Sequence, residues 1–386
     1  MQPAARLSAA IEILEAWQAG LPVEQALSRW ARGARYAGSK DRAAVRDHVY
    51  DGLRQKGACA AAGGAESGRG LILGLLRLQG GEPADVFTGE GHAPDVLSAE
   101  EVAFSAPPLD PNLNVPSWLL PLLAARAGGS LPDLLSSFTT RAPLWLRVNL
   151  QRATREDAAR ALAEDGLITR ASSEVATALE VTEGGRRLHL STAYEAGLVE
   201  PQDLSVQWAV QRIKWPKTGR ILDYCAGGGG KALAIADQTR AAIFAHDASA
   251  RRMSDLTPRA ARAGVQITQL STEDLHTHAP YDLVLCDVPC SGSGTWRRDP
   301  EAKWRLTPQV LEDLTKTQAG ILVEAAELVA PGGQLIYMTC SLFEAENEAQ
   351  IAGFLARTPG WQIGATHIDT PLSASDGFFT AQLRRT

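Results

Sequence analysis

Two cysteines follow two strand-like runs of the sequence, and a pair of thiols in such positions could do covalent chemistry. Cys290 lies in a small-residue loop after the apolar run 281–286, just beyond Asp287. Cys340 follows the run 334–338. Ligands of open α/β sheets bind beyond the carboxyl ends of the strands, so both thiols are expected at one rim. Most cysteines only pack, but polar surroundings such as these favour a reactive thiolate.

A glycine-rich turn separates a predicted strand from a predicted helix. Residues 223–231 read Asp-Tyr-Cys-Ala-Gly-Gly-Gly-Gly-Lys. Glycine lets the backbone approach a ligand closely. Asp247 closes the next predicted strand, where a carboxylate typically binds ribose hydroxyls. The order of strand, turn, helix and acid predicts a nucleoside cofactor, and both NAD and S-adenosylmethionine are compatible with it.

The cysteine pair favours one of these two cofactors. A thiolate that adds to C6 of a pyrimidine makes C5 nucleophilic, so that C5 can attack the sulfonium methyl group of S-adenosylmethionine. A base then removes the C5 proton before the thiol leaves. Hydride transfer requires no such pair. The residues therefore favour C5 methylation of a pyrimidine, and an NAD-dependent oxidoreductase stays as the alternative.

Length and composition limit the class of protein. The chain has 386 residues, 45% of them hydrophobic, which predicts two or three domains with packed cores. It has no apolar run of about 18 residues and no secretory signal, so we expect a cytoplasmic protein without a membrane segment. The cysteines number five, an odd count in a long chain without a secretory signal, which argues against a disulfide framework. They also lack the spacing of a zinc site, which argues against a structural metal.

Positive charge is concentrated in one part of the chain, although the net charge is −6. Residues 29–56 contain eight basic and three acidic residues. Such an excess could face phosphates or could be a solvated helical face. Residues 296–305 interleave tryptophan with arginine and lysine beside Cys290, a pattern that suits nucleic-acid contacts or packing of the tryptophans.

The N-terminal part of the chain is predicted to be helical. Apolar residues recur at helical spacing from about residue 7 to residue 59, followed by a small-residue linker at 60–70 and a further helix at 71–78. Five prolines between residues 80 and 111 predict mostly loop there. A helix pair is expected at 116–135.

The remainder predicts two mixed modules. A strand at 143–150, a helix capped by Thr154 and strands at 167–171 and 178–181 predict a small α+β module. Beyond residue 219, short apolar runs alternate with helical segments, as in a doubly wound α/β domain. Its strands are predicted at 220–224, 242–247, 266–270, 282–287, 334–339 and 378–383, and its helices at 231–236, 249–263, 307–329 and 346–356.

Together these motifs resemble the Sun-type, RsmB-like bacterial RNA (cytosine-5) methyltransferases. That family carries Asp-x-Cys-Ala-Ala-Pro-Gly-Gly-Lys-Thr in the glycine turn, Asp-Ala-Pro-Cys-Ser-Gly-x-Gly with Arg-x-x-Pro after the fourth strand, and Thr-Cys-Ser with Glu-Asn after the fifth. The matching residues here are 223–231, 287–294 with Arg297 and Pro300, and 339–341 with Glu346 and Asn347. The resemblance implies a Rossmann-like methyltransferase sheet at 201–386, preceded by a NusB-like RNA-binding domain at 1–112 and an RRM-like α+β module at 113–200.

The resemblance also assigns roles to residues. Cys340 would be the nucleophile at C6, Cys290 would assist release of the product, and Asp287 would contact the cytosine edge with Lys231 nearby. Asp247 would bind the ribose of S-adenosylmethionine and Asp274 the adenine amino group. The full cofactor-binding set is Cys225, Ala226, Gly227, Gly228, Gly229, Gly230, Lys231, Asp247, Arg252, Asp274 and Asp287.

The chain departs from the family pattern in the turn itself. Gly227 and Gly228 stand where Ala-Pro is usual, and Ala232 stands where threonine is usual. The loss of proline raises the entropy cost of ordering the loop, which could weaken cofactor binding. The expected partner is RNA, most simply ribosomal RNA, bound by a monomer. A catalytically silent RNA-binding assembly factor is the second alternative.

Overall fold

The computed structural model describes residues 1–386. The first third of the chain is helical, as predicted, and its core includes the fully buried side chains of Leu14, Val45 and Leu53. The predicted helix pair after residue 116 is confirmed. The helices are α1 (Pro3–Gln18), α2 (Val23–Gly33), α3 (Ser39–Arg54), α4 (Lys56–Gly63), α5 (Gly68–Leu78), α6 (Ala99–Ala103), α7 (Leu120–Ala127) and α8 (Leu131–Ser137).

The predicted linker at residues 60–70 is wrong, because most of this stretch belongs to α4 and α5. Its small residues allow two helix backbones to touch. A Cβ atom added at Gly74 would lie 1.8 Å from the carbonyl oxygen of Cys59, and one added at Gly63 would lie 1.9 Å from that of Gly70. A run of glycine and alanine thus marks a close helix contact here, where the sequence suggested flexibility.

Gly74→Ala should therefore destabilise the helical part of the protein. The added methyl group cannot fit against the Cys59 carbonyl without moving a helix, and overpacking of this kind costs about 1–3 kcal/mol. Thermal unfolding followed by circular dichroism should give a lower midpoint than wild type. Gly33→Ala is the matched control, since nothing lies within 4 Å of the added atom there. Equal midpoints for the two variants would contradict this packing.

The next segment forms a small antiparallel sheet with two helices. Its order along the chain is β-α-β-β-α-β and its order in the sheet is β2-β3-β1-β4, which is the ferredoxin-like arrangement. The Thr154 cap is confirmed, since its side chain accepts a hydrogen bond from the Asp157 amide. The elements are β1 (Leu144–Val148), α9 (Arg155–Glu164), β2 (Ile168–Ala171), β3 (Ala178–Glu183), α10 (Thr192–Glu195) and β4 (Val199–Pro201).

A doubly wound α/β domain completes the chain, as predicted. Its sheet has the order β10-β11-β9-β8-β5-β6-β7. The elements are α11 (Leu204–Gln211), β5 (Arg220–Asp223), α12 (Gly230–Ala236), β6 (Ala242–Ala245), α13 (Leu256–Ala263), β7 (Thr268–Gln269), α14 (Leu275–His278), β8 (Tyr281–Asp287), α15 (Pro300–Arg305), α16 (Pro308–Glu327), β9 (Val329–Thr339), α17 (Glu348–Arg357), β10 (Trp361–Asp369) and β11 (Phe378–Arg385).

The strand order creates a switch point at the centre of this sheet. The chain runs from β5 outward through β6 to β7, then returns to build β8 and β9 on the other side of β5, with all these neighbours parallel. Crevices at such reversals bind ligands in open α/β sheets. The turn after β5 and the loop after β8 therefore flank the expected binding crevice.

Several details of this domain differ from prediction, among them three short helices, α11, α14 and α15, that the sequence did not predict. The structure contains a further strand, β10, that the sequence did not predict, because most of its side chains are exposed and carry no alternating pattern. The single helix predicted at 249–263 is instead a short 3-10 turn at Ala250–Met253 followed by α13. All six predicted strands exist, with shifted ends.

The chain divides into two compact units. One contains residues 1–141 with 296–305, and the other contains residues 142–295 with 306–386. The sequence placed a division near residue 112 and assigned the whole loop after Cys290 to the last domain. The structural division lies at 141, and the loop segment 296–305 belongs with the helical unit. The three-domain scheme stays a prediction.

None of the helices is both long enough and apolar enough to cross a membrane.

Candidate active site

The two cysteines singled out in the sequence lie side by side. The Sγ atoms of Cys290 and Cys340 are 3.4 Å apart, and both side chains are free thiols and partly buried. Backbone hydrogen bonds join the two loops that carry them: the amide of Val288 donates to the Met338 carbonyl at 3.1 Å, and the amide of Gly294 donates to the Cys340 carbonyl at 2.9 Å. The parallel pairing of β8 with β9 thus brings both thiols to one rim.

Lys231 and Asp287 form an ion pair beside the cavity described below. Lys231 comes from the start of α12 and Asp287 from the end of β8, on opposite sides of the switch point. The lysine Nζ also lies 5.3 Å from the centre of the Phe378 ring. Burial alone would lower the pKa of Lys231, but the Asp287 carboxylate outweighs it and the pKa is raised. The ammonium therefore stays charged at neutral pH.

A cavity of about 280 Å³ opens at the glycine turn. All but three residues of the predicted cofactor-binding set line this cavity. Its lining consists of Pro201, Gln202, Val206, Asp223, Cys225, Ala226, Gly227, Gly228, Gly230, Lys231, Arg252 and Asp287. The structure contains no group of three or more His, Cys, Asp or Glu side chains that could hold a metal ion.

The three remaining residues of that set differ in position. Asp247 lies directly behind the lining, where its Oδ2 accepts a hydrogen bond from the Gly227 amide at 3.0 Å and pairs with Arg252 at 3.2 Å. Gly229 acts in the turn itself. Asp274 is exposed, accepts a hydrogen bond from Ser271, and does not line the cavity. Its role at adenine stays a prediction.

The turn is shaped by glycine and by its neighbours. Gly229 has φ +80°, and a Cβ atom there would lie 2.0 Å from Leu256 Cδ1, so only glycine fits. At Gly228, where the family pattern has proline, the carbonyl oxygen accepts a hydrogen bond from the Arg259 guanidinium. Gln202 donates to the Gly230 carbonyl at 3.0 Å. Side chains from outside the turn therefore order a loop that has lost its proline.

Arg259 is itself fixed by the ferredoxin-like sheet. Glu200 of β4 accepts from Arg259 Nε at 3.0 Å and from Arg262 Nη2 at 2.7 Å. The guanidinium of Arg262 stacks over the Tyr194 ring at 4.1 Å. No motif in the sequence pointed to this network, because its members are separated along the chain and meet only after folding.

Asp223 is a buried carboxylate without a hydrogen-bond partner. It closes β5, has no exposed surface and lines the cavity. Burial raises its pKa to about 7, although the Lys231 charge opposes the shift. In the sequence, Asp223 marks only the start of the turn. S-adenosylmethionine carries a sulfonium and an ammonium group, so a buried carboxylate in a cavity with close backbone approach fits that cationic cofactor.

Asp223→Asn should make the protein more stable at pH 8 than wild type. The folded-state pKa near 7 exceeds the ordinary value of 3.8, so the wild-type contribution to stability is largest below about pH 4 and is lost as the pH rises through 7. The variant lacks this loss, which amounts to a few kcal/mol at about 1.4 kcal/mol per pKa unit. The unfolding midpoint of the variant should exceed that of the wild-type protein by an amount that grows as the pH rises from 4 to 8. The exposed Asp255→Asn is the control, and a constant difference for Asp223→Asn would contradict the burial argument.

The remaining cysteines have different surroundings. Cys286 is fully buried in the core of the sheet, as predicted. Cys225 lines the cavity and also packs against that core. The hydrogen bond with Cys340, burial and the nearby Glu346 carboxylate raise the pKa of the Cys290 thiol well above its usual range. Cys290 therefore keeps its proton at neutral pH.

Residues 296–305, considered above for nucleic-acid contacts or packing, mainly pack within the helical unit. Trp296 has no exposed surface and meets the Phe138 ring edge-on at 5.4 Å. The ammonium of Lys303 is buried and donates to the Arg54 carbonyl at 2.7 Å, and burial lowers the pKa of Lys303 to about 7. Trp304 donates to the Leu53 carbonyl at 2.7 Å. Lys303 and Trp304 therefore hold α15 against α3.

Solved structures share this fold. The crystal structure of PH0851 aligns with a TM-score of 0.79 over 100% of this chain and 99% of that one, at 23% identity. NSun6 from Pyrococcus horikoshii, solved with SFG, aligns with a TM-score of 0.62 over 70% of this chain and 98% of that one, at 18% identity. The doubly wound domain has the Rossmann-like methyltransferase fold.

Comparison of sequences gives the family. Residues 211–384 match the model of the 16S rRNA methyltransferase RsmB/F, and residues 115–186 match the RsmF/B-like ferredoxin-like domain. A Synechocystis sp. protein named "Probable ribosomal RNA small subunit methyltransferase B" is 30% identical over 81% of this chain and 75% of its own length. Ribosomal RNA small subunit methyltransferase B of Klebsiella pneumoniae is 33% identical over 69% of this chain and 65% of its own length.

The fold and the cavity at its switch point define an S-adenosylmethionine-dependent methyltransferase. Within that class, the chain belongs to the RsmB/F family. The NAD-dependent alternative is thereby excluded, and the predicted cofactor, S-adenosylmethionine, is confirmed.

Proposed function

We propose that the protein methylates C5 of a cytosine in small-subunit ribosomal RNA through a covalent adduct on Cys340. The single observation that carries this proposal is the pair of free thiols, 3.4 Å apart, at the carboxyl ends of neighbouring strands. The relatives named above act on ribosomal RNA by their names, which supports the choice of substrate. The target base has to leave its stack to reach the thiols.

Cys340 is the nucleophile in this mechanism. Its sulfur forms a bond to C6 while the electrons of the C5–C6 double bond move toward C5, which becomes the methyl acceptor. S-adenosylmethionine supplies the methyl group. When C5 has then lost its proton to a base, the double bond re-forms and the Cys340 sulfur departs as a thiolate. Both thiols have to reach one base, and their separation supports this.

Cys290 assists the last of these steps. The two Sγ atoms are 3.4 Å apart, so the Cys290 thiol can donate a hydrogen bond to the Cys340 sulfur when that sulfur departs as a thiolate. A donor at that position stabilises negative charge on the departing sulfur. The two cysteines therefore have different tasks: Cys340 attacks and Cys290 lowers the barrier to its release.

Asp287 and Lys231 recognise the base. Cytosine presents an amino group at N4, and a carboxylate is a suitable acceptor for it. The Lys231 ammonium donates to Oδ2 of Asp287 and leaves the second carboxylate oxygen to accept from the base. Uracil has a carbonyl oxygen at this position, which cannot donate to a carboxylate oxygen, so Asp287 selects against it.

Cys340→Ala should abolish methylation, and Cys290→Ala should accumulate a covalent protein–RNA adduct, because the adduct forms but is released slowly. Bisulfite sequencing of ribosomal RNA from a deletion strain that expresses each variant measures methylation and identifies the cytosine. A denaturing gel measures the adduct. Cys59→Ala, which alters a buried thiol of the helical unit, is the control.

Full methylation by both active-site variants would refute the adduct. RNA binding without methylation by the wild-type protein on any RNA would favour a silent assembly factor.

We also propose that the helical unit contacts RNA through a surface at the end of α2. Arg29, Arg32, Arg35 and Lys40 are exposed there and have no acidic partner, whereas the exposed Arg46 is paired with Glu24 at 3.3 Å. The Tyr36 side chain among them is 73% exposed and available for stacking. Free positive charge beside an exposed aromatic ring is typical of surfaces that bind single-stranded RNA.

The variant with Arg29→Ala, Arg32→Ala and Arg35→Ala should bind ribosomal RNA more weakly and with less salt dependence. Each phosphate contact that is lost should reduce the slope of log affinity against log salt by about 1. Fluorescence anisotropy at several salt concentrations measures both quantities. Arg46→Ala removes the same type of side chain from an ion pair, so it serves as the control. An unchanged slope in the triple variant would exclude this surface.

A further inference from the structure

Glu346 is a fully buried carboxylate with four hydrogen bonds. Its Oε1 accepts from the Ser291 amide at 2.8 Å and from Gln318 Nε2 at 3.0 Å. Its Oε2 accepts from the hydroxyl groups of Ser291 and Ser341, both at 2.5 Å. A carboxylate without exposed surface requires such donors, because an uncompensated buried charge is strongly destabilising.

The donors come from both cysteine loops. Ser291 directly follows Cys290, and Ser341 directly follows Cys340. Gln318 extends the same connection, since its amide donates to the Pro289 carbonyl at 2.9 Å as well as to Glu346. One side chain therefore gathers the residues that flank both thiols.

Glu346 is itself held firmly. The Tyr337 hydroxyl donates to the Glu346 carbonyl oxygen at 2.6 Å. The next residue, Asn347, accepts from the Thr339 hydroxyl at 2.5 Å and donates to the Ser341 carbonyl at 2.9 Å. The carboxylate is thus anchored to the end of β9 and reaches from there to the loop after β8.

We propose that Glu346 is a positioning residue that sets the separation of the two thiols. The proposal rests on the proposed function, in which Cys340 and Cys290 act on one base. The backbone hydrogen bonds between the loops fix their pairing, and the carboxylate fixes the two residues next to the sulfur atoms. Loss of the carboxylate removes the acceptor that both serine hydroxyls share and leaves the Ser291 amide without its acceptor in the core.

The test measures thiol proximity directly, without RNA or cofactor. Dibromobimane becomes fluorescent when each of two thiols displaces one bromide, so its crosslinking rate reports how close Cys290 and Cys340 are. Glu346→Ala in the full chain should crosslink at least about tenfold more slowly, since a displacement of 1 Å can cost up to ~10²-fold in a reaction that depends on alignment. The exposed Glu344→Ala, two residues earlier, should match wild type.

Glu346→Gln distinguishes positioning from charge. Its amide has the same shape, can accept from the Ser291 amide and Gln318, and can donate to the two serine hydroxyls. We expect this conservative variant to restore crosslinking to within about threefold of wild type, as the hydrogen-bond capacities match. If Glu346→Ala does not fold, the double variant Ser291→Ala, Ser341→Ala replaces it, because two donors to the carboxylate remain. It should also slow crosslinking about tenfold.

Methyl transfer provides the second measurement. Glu346→Ala should lower kcat while the KM for S-adenosylmethionine stays near wild type, because Glu346 does not line the cavity. If Glu346→Ala or the double serine variant crosslinks at the same rate as the wild-type protein, the proposal is overturned. Crosslinking in Glu346→Gln as slow as in Glu346→Ala would also overturn it. An inactive wild-type protein that crosslinks normally would reject the proposed function and leave the positioning role supported.

Discussion

The parallel pairing of β8 with β5 on one side and β9 on the other is the constraint on which the site depends. Residues 283–287 of β8 are in register with 334–338 of β9, and residues 283–285 with 221–223 of β5. The three strands therefore end at the same edge of the sheet. The cavity at the glycine turn forms at the first junction and the thiol pair at the second, so a slip of one register would separate them and turn every side chain of β8 to the opposite face.

Around these strand ends, not every buried charged side chain has an ion-pair partner of its own. The Lys231 ammonium forms an ion pair with Asp287. Its charge also reduces the free-energy cost of ionising the buried Asp223, whose carboxylate has no hydrogen-bond partner. Proteins tolerate such groups where they serve binding or catalysis, since their cost has to be offset by the rest of the fold. The Glu346 carboxylate shows the opposite arrangement, with all its bonds satisfied inside the protein. One carboxylate lines the cavity without a hydrogen-bond partner, and the other is fully hydrogen-bonded between two loops.

Much of the fold and part of the site could be predicted from the sequence, and the reasons are physical. The strands of the α/β domain are short apolar runs, and the cysteines that follow two of them were predicted to meet because parallel strands end at one edge. β10 was not predicted because its exposed side chains carry no pattern. A run of glycine and alanine such as residues 60–70 occurs both in flexible linkers and in tight helix contacts, and only the structure distinguishes the two cases.

The site residues that were missed act through contacts between distant parts of the chain. Arg259 holds the turn because Glu200 of another sheet orients it, and Glu346 depends on serines from two loops. Glu346 was recognised only as part of a motif, and nothing in its spacing gave it a task. The local sequence pattern shows which residue types lie at the edge of the sheet. The residues that hold them in place can be identified only from the tertiary structure.

The discontinuity of the helical unit has a consequence for synthesis of the protein. Its ninth helix, α15, is made after more than half of the chain has already left the ribosome, since residues 142–295 come between. Until then Phe138 lacks its Trp296 neighbour, and the carbonyl groups of Leu53 and Arg54 lack their donors. A nascent chain usually folds its first domain first. In this protein that first domain has to wait, incompletely packed, for a segment encoded far downstream.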